Sequence, residues 1–296
     1  MEFISAKSII SGYRENNNWF GTNYNLNIYK GCCHGCIYCD SRSDCYGIDN
    51  FDIVRAKEKF SQIIRRELKS KRKKGIIGTG AMSDPYNPFE KKFHLTRNTL
   101  ESINNNGFGV AIATKSDLIT RDIDILKRIK EHSPVLCKIT ITTADDNLCK
   151  IIEPNVVVTS KRFQAIKKLS DEGIYTGILL MPILPFINDT EENIISIVRL
   201  AKENGAKFIY PAFGVTLRSN QRDYFFAMLD KYFPGTKAKY IKIFGNNYMC
   251  NSSNARNLYN VFSSECKRLG LLYRMNDIIN GYKEGYNNKQ LSLFDM

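Results

Sequence analysis

The sequence predicts an α/β fold, a partial (β/α)6 barrel of the TIM type with a mostly helical C-terminal extension. Short apolar runs alternate with longer amphipathic ones from residue 26 to 213, and cysteines rather than glycines fill the loop after the first strand. Chemistry-bearing side chains also recur where the expected strands end. Strict alternation of strand and helix requires right-handed crossovers and a parallel sheet. A flat doubly wound sheet is the rival, and it usually opens with a glycine-rich phosphate loop where the cysteines stand here. In a barrel, reactive side chains gather at the C-terminal edge of the strands.

In chain order, strands are expected at 26–29, 75–79, 109–114, 137–142, 175–181 and 207–212. Helices are expected between them at 55–73, 96–105, 120–130, 161–172 and 191–204. Gly107 and Gly205 stand just past two of these helices and Thr190 just before one, as end signals should. After about residue 215 the rhythm changes, with helices expected at 221–233 and 255–269 in an extension that covers the barrel. The chain then divides into a barrel at 1–215, an extension at 216–284 and a polar tail at 285–296.

The 296 residues can bury one large core or two modest ones, and 43% hydrophobic with 25% charged residues is the balance of a soluble globular protein. No apolar run reaches the roughly 20 residues that span a bilayer. The first 13 residues lack the order of a signal peptide, so a cytoplasmic location without a membrane partner is expected. Lys and Arg number 43 against 30 Asp and Glu, a net charge of +13 that favours a polyanionic partner, nucleic acid first. The run KSKRKK at 69–74 is expected to end a helix and complement its dipole, which does not make it a binding site.

Five of the nine cysteines fall at 32–45, and in a reducing compartment such clustering favours metal binding or redox work. Cys32, Cys36 and Cys39 stand in the spacing C-x3-C-x2-C. Three thiolates can hold three irons of a four-iron cube and leave the fourth open, and an open position separates a catalytic metal site from a closed one. Electron-transfer clusters use four cysteines. Cys33, Cys36 and Cys39 could begin a ferredoxin-type run, but Ser43 and Asp44 stand where it needs Cys and Pro. Zinc can also be drawn, from Cys33 and Cys36 with Cys39, Cys45 or His34, although no second C-x2-C pair follows. On that reading the protein is a non-catalytic zinc or Fe–S module that binds nucleic acid.

The C-x3-C-x2-C spacing, with Tyr38 before the last cysteine and a strand before the loop, resembles the radical S-adenosylmethionine (SAM) signature. The resemblance implies that the amino and carboxylate groups of SAM chelate the open iron of a [4Fe–4S] cluster. One electron, from a donor such as flavodoxin or ferredoxin, then splits SAM into methionine and a 5′-deoxyadenosyl radical that abstracts hydrogen. To about residue 212 the chain is similar to the spore photoproduct lyase-like, DNA-repair group. The similarity lies in Gly80-Ala81-Met82-Ser83-Asp84-Pro85-Tyr86-Asn87-Pro88, Ala113-Thr114-Lys115, Thr140-Ile141-Thr142, Glu153-Pro154 and Met181-Pro182. It implies that Tyr38, Ser83, Asp84, Lys115, Thr140, Thr142 and Met181 surround SAM. A Lys at a strand end can meet the SAM carboxylate, and hydroxyls can bond its ribose and amino groups.

One departure counts against spore photoproduct lyase activity itself. Those lyases carry a hydrogen-returning cysteine two residues before the serine that matches Ser83, and here that position is Ala81. Cys45 and Cys149 are candidate substitutes, and Tyr86 is a candidate radical relay or base-stacking platform. The expected substrate is a nucleic acid, DNA favoured, in repair or modification; a protein or small metabolite is the alternative. The tail adds Gln290, Leu291, Leu293 and Phe294, which resemble the peptide by which bacterial DNA-processing enzymes bind the sliding clamp.

Overall fold

The computed structural model describes residues 1–12 and 19–286, so the clamp-like peptide lies outside the described residues. The main sheet has seven strands in the order Phe208–Pro211, Thr176–Leu180, Val135–Thr140, Gly109–Thr114, Ile76–Thr79, Tyr24–Leu26 and Ile10–Gly12. The first six run parallel, and Ile10–Gly12 borders the sheet antiparallel to Tyr24–Leu26. The end strands do not pair with each other, so the barrel is partial and open. Helices Phe60–Ser70, Leu95–Asn105, Ile123–Lys130, Thr159–Asp171 and Glu191–Glu203 make the crossovers. Among the described residues no helix is long and apolar enough to cross a membrane.

Strand alternation divides the apolar side chains between two cores. Ile77, Val110, Ile112, Ile139, Ile178 and Ile209 pack outward with the helices. Ile76, Ala111, Leu136, Leu179 and Phe208 point inward and meet Phe20, Ile278 and Tyr282. The turn Trp19–Gly21 and the helix Met275–Lys283 therefore plug the barrel floor together. Tyr282 donates to the Phe20 carbonyl at 2.5 Å and Lys283 to that of Gly21 at 2.9 Å.

Three expectations need correction. The first strand is Tyr24–Leu26 rather than 26–29, because Tyr29–Lys30 leaves it to pair with Arg55–Lys57 in a small sheet that also holds Glu2–Ile4. The helix expected from residue 55 begins only at Phe60, since Val54 and Ala56 are buried between more exposed neighbours, the period of a strand. The basic run extends beyond that helix's end at Ser70. Lys71 lies 5.4 Å from the Tyr24 ring centre and Lys74 lies 4.6 Å from that of Phe108.

The extension begins with Gly214–Thr216, paired antiparallel to Met249–Asn251, so the expected boundary at 215 falls inside a strand. Its helices are Gln221–Tyr232, Thr236–Phe244, Ala255–Leu269 and Met275–Lys283. Glu265 on the third accepts from Arg199 of Glu191–Glu203 at 3.1 Å and from Arg268 at 2.6 Å. The Arg268 hydrogen bond, helped by that of Arg199, pulls the Glu265 carboxyl down to about 2. A carboxyl lowered by folding stabilises above its unfolded value of 4.5 and loses that contribution as pH falls toward 2. Glu265→Gln is therefore expected to cost about 0.5–1 kcal/mol in urea unfolding at pH 7. Variant and wild type should converge at about pH 2, where the carboxyl is half protonated.

Candidate active site

The cysteine loop is held on both flanks before its thiols are considered. Gly31 sits at φ +78°, where a Cβ would come within 2.3 Å of the Ile53 carbonyl, so only glycine brings the loop this close. Cys32 N–H donates to the Phe51 carbonyl at 2.8 Å. On the other flank Ile37 N–H donates to the Ile152 carbonyl at 3.0 Å, and Asn155 N–H to that of His34 at 3.1 Å. Tyr38, between the last two cysteines, donates its hydroxyl proton to Glu153, which is ion-paired to Arg162 at 2.5 Å.

Cys32, Cys36 and Cys39 are free thiols and line one cavity of about 490 Å³ at the C-terminal edge of the sheet. Small-molecule sites span roughly 300–1,000 Å³. Burial pushes the Cys32 thiol up to about 12 and that of Cys36 well above its ordinary value, so a metal that binds there must displace protons. Among the described residues no three His, Cys, Asp or Glu side chains converge on the position of a single ion. Three thiol ligands lining one cavity suit three corners of an iron–sulfur cube.

An adjoining wall is built around Asp84, whose carboxylate lies 3.7 Å from His34 of the cysteine loop. Gly80, at φ +94°, stands where a Cβ would meet the Ala113 carbonyl at 1.9 Å, and it lets the following turn lie against the strand end. Asp84 accepts from Tyr86 N–H at 2.8 Å, the Thr114 hydroxyl at 2.6 Å and Lys115 N–H at 2.7 Å. Its carboxylate thus positions the wall. Ser83 donates to the Gly31 carbonyl at 2.7 Å and ties this wall to the cysteine loop. The Lys115 ammonium lies 5.7 Å from the Tyr38 ring centre. Burial alone would lower it, but the charges of Cys36, Glu153, Cys39 and Asp84 hold it above its ordinary value.

Tyr38, Ser83, Asp84, Lys115, Thr140 and Met181 all line the cavity with the three cysteines. Four sequence candidates do not. Thr142 lies beyond the strand end at Thr140, and its carbonyl accepts from Asn188 at 2.7 Å and Asn193 at 3.0 Å. Tyr86 is turned into the outer core beside Asp122, with its ring 6.0 Å from the Arg121 guanidinium, so it offers no stacking platform. Cys149 is buried on the helix Asp146–Ile152, with its sulfur 3.7 Å from Glu153 and 3.4 Å from Arg162. Cys45 is exposed on the turn Asp44–Tyr46 and accepts from Arg218 at 3.3 Å, one side chain away from the cavity wall at Asp40.

Sequence reasoning missed Lys138, Asn25 and Trp19 on the inner wall and Met249 on the extension. Lys138 had a signal, a lone charge in the apolar run Val135-Leu136-Cys137-Lys138-Ile139. The others reach the cavity only through tertiary packing.

A family model described as the radical SAM superfamily matches residues 26–209. The chain belongs to the radical SAM superfamily. Membership implies an enzyme that uses SAM and a [4Fe–4S] cluster. An uncharacterized protein of Methanocaldococcus jannaschii is 38% identical over 175 residues, which cover 58% of this chain and 64% of that one. The chain thus spans less than two thirds of that relative's length. The radical SAM Nalpha-GlyT isomerase of Pseudomonas phage M6 is 23% identical over 160 residues, 54% of this chain and 33% of that protein. Among solved structures, spore photoproduct lyase complexed with dinucleoside spore photoproduct aligns at TM-score 0.64 and 13% identity, over 91% of this chain and 80% of its own. A variant of that lyase with AdoMet and the same dinucleoside bound aligns at TM-score 0.65 and 12% identity, over 92% and 82%. At such identities these likenesses establish the fold.

Proposed function

We propose that this radical SAM enzyme holds its [4Fe–4S] cluster on Cys32, Cys36 and Cys39 and abstracts hydrogen from a nucleic acid, DNA favoured, in repair or modification. The carrying observation is that these three thiols share one cavity with Ser83, Lys115, Thr140 and Met181. When bound, the cluster and SAM supply one-electron cleavage of a carbon–sulfur bond and a carbon radical that takes a hydrogen atom from substrate. Lys115 offers a half-buried cation to the SAM carboxylate, and the Ser83 and Thr140 hydroxyls offer polar contacts. The Tyr38–Glu153–Arg162 chain keeps the cysteine loop in place. A reductant such as flavodoxin or ferredoxin, in the cytoplasm, would serve this chemistry.

The +13 charge supports a nucleic-acid substrate, as does the dinucleoside lesion that spore photoproduct lyase binds. So does the surface beside the cavity-lining Met249, which is 48% exposed: the adjoining Tyr248 is 47% exposed, with the Arg218 guanidinium 4.9 Å from its ring centre. An exposed ring beside a guanidinium suits an unstacked base and its phosphate. Besides the three clustered cysteines, no thiol lines the cavity among the described residues, and Ala81 stands on its wall. A hydrogen atom returned to the product would therefore come from another kind of group.

The test is anaerobic reconstitution followed by dithionite. Iron near four per chain and SAM-dependent formation of 5′-deoxyadenosine are expected. Their absence rejects the chemistry. DNA binding should fall steeply with salt, by about 10³-fold between 50 and 200 mM for roughly six phosphate contacts. Weak, salt-insensitive binding would direct the same chemistry to a protein or a small metabolite.

A further inference from the structure

The inner end of the cavity holds a charge that pairs with no carboxylate among the described residues. Lys138 lies on Val135–Thr140, two residues before Thr140 and therefore on the same face, about 7 Å deeper in the barrel. It is 3% exposed and lines the cavity. Its neighbours in register are Ala113 on one side and Gly177 on the other. Below it is Phe20, with the ring centre 4.5 Å from the ammonium. A ring face attracts a cation without neutralising it.

Among the described residues, the Lys138 ammonium has no carboxylate partner, and the titratable group that acts on it is the buried Cys137 thiol of its own strand, in contrast to Lys115 with Glu153 and Asp84 nearby. The flanking strands Gly109–Thr114 and Thr176–Leu180 and the turn Trp19–Gly21 contain no acidic residue. Burial lowers the Lys138 ammonium to about 8. A buried cation without a counter-ion destabilises a fold. Methionine would fill nearly the same volume beside Phe20, Leu136 and Leu179 without that cost. Among the described residues the charge has no other partner, so it is available to whatever fills the cavity.

A second observation points to the same place. Asn25, on the inner wall of the same cavity, keeps its side-chain oxygen buried with no hydrogen-bond donor among the described residues. Buried polar atoms are ordinarily paired. Between the two residues the sheet presents only small inward side chains at Gly78 and Ala113, which leaves room for a ligand.

We infer that Lys138 docks an oxyanion, a carboxylate or a phosphate, carried by the substrate, and that Asn25 accepts a hydrogen bond from the same molecule. This rests on the cavity being the substrate's, as proposed above, and not on that substrate being a nucleic acid. The SAM carboxylate has its own cation in Lys115 on the cysteine side.

The test uses cluster-loaded full-length protein labelled with ¹³C-lysine, with SAM bound, and follows the side-chain signal that Lys138→Met removes. Saturating acetate or inorganic phosphate should raise the titration midpoint of that signal by about one unit, a tenfold preference for the charged form. A response to acetate alone assigns a carboxylate, to phosphate alone a phosphate, and to both an oxyanion of either kind. Lys138→Met should bind SAM within about twofold of wild type and melt at the same or a higher temperature, because it removes an uncompensated charge. Lys138→Gln makes the same assignment should the first variant fail to fold. The inference is overturned if neither anion moves the signal, or if Lys138→Met weakens SAM binding tenfold or more, which would assign the lysine to SAM. Iron content and 5′-deoxyadenosine are measured on the same samples, so failure of the cofactor chemistry is distinguishable from failure of the anion site.

Discussion

Cys36→Ser is expected to strip the chain of its cluster and take 5′-deoxyadenosine formation to background. Loss of groups that merely support a metal ligand typically costs about 10–100-fold in affinity. Loss of a thiolate that carries one corner of the cube should exceed the upper end of that range. Serine is close in size to cysteine, and the loop around Cys36 is anchored by the backbone bonds at Cys32, Ile37 and Asn155, so the metal-free variant should melt near wild type. The informative control is Cys33→Ser. Cys33 is half-buried and does not line the cavity. It belongs to the competing register Cys33, Cys36, Cys39, whereas the proposed register uses Cys32. Iron and turnover within a few-fold of wild type in Cys33→Ser, with both lost in Cys32→Ser, supports the proposed register. The opposite pair of results refutes it.

The features legible in the sequence are those written in local spacing. The strand Gly109–Thr114 and the helix Ala255–Leu269 were read to the residue because each has a sustained period. Thr190 does cap its helix, accepting from Asn193 N–H at 3.2 Å. The cysteine spacing is equally local. What escaped depends on partners distant in the chain. Tyr29–Lys30 looked like the end of the first strand, but its partner at Arg55–Lys57 lies about 25 residues on, in a different sheet. The resemblance implies Thr142 beside Thr140, but the strand ends at Thr140 and the chain carries Thr142 away from the cavity. Cys149 is a candidate by residue type alone, and the helix Asp146–Ile152, for which no helix is expected from the sequence, buries it away from the cavity. Tyr86 follows Asp84, whose carboxylate captures the Tyr86 N–H, while the ring is packed into the core.

Arg162→Met is expected to cost about 3–5 kcal/mol, because it removes one partner of a buried ion pair and leaves the other charged. Arg162 is fully buried and joins three parts of the site. It is ion-paired with Glu153 at 2.5 Å, and it donates to the Thr140 carbonyl at 3.0 Å and the Val157 carbonyl at 2.8 Å. Burial alone would push the Glu153 carboxyl up, but Arg162 and then Lys115 outweigh it and hold it below the ordinary value of 4.5. In wild type this contribution is therefore present above 4.5 and lost as pH falls through the lowered value. With Arg162 gone, burial dominates and the Glu153 carboxyl rises above its unfolded value. The variant is then penalised most at neutral pH and recovers as the carboxyl takes up its proton. Urea unfolding of the metal-free protein should show the gap from wild type narrowing between pH 7 and pH 5. Arg162→Met combined with Glu153→Leu should cost less than the two single changes added, since the pair is coupled. A single-variant loss below about 1 kcal/mol would mean that water or Lys115 already compensates Glu153. Because Glu153 also receives the Tyr38 hydroxyl between Cys36 and Cys39, the same substitution should loosen the cysteine loop and lower iron affinity by about 10–100-fold. Stability and cluster retention are thus tied to one guanidinium, and both should fall together in Arg162→Met.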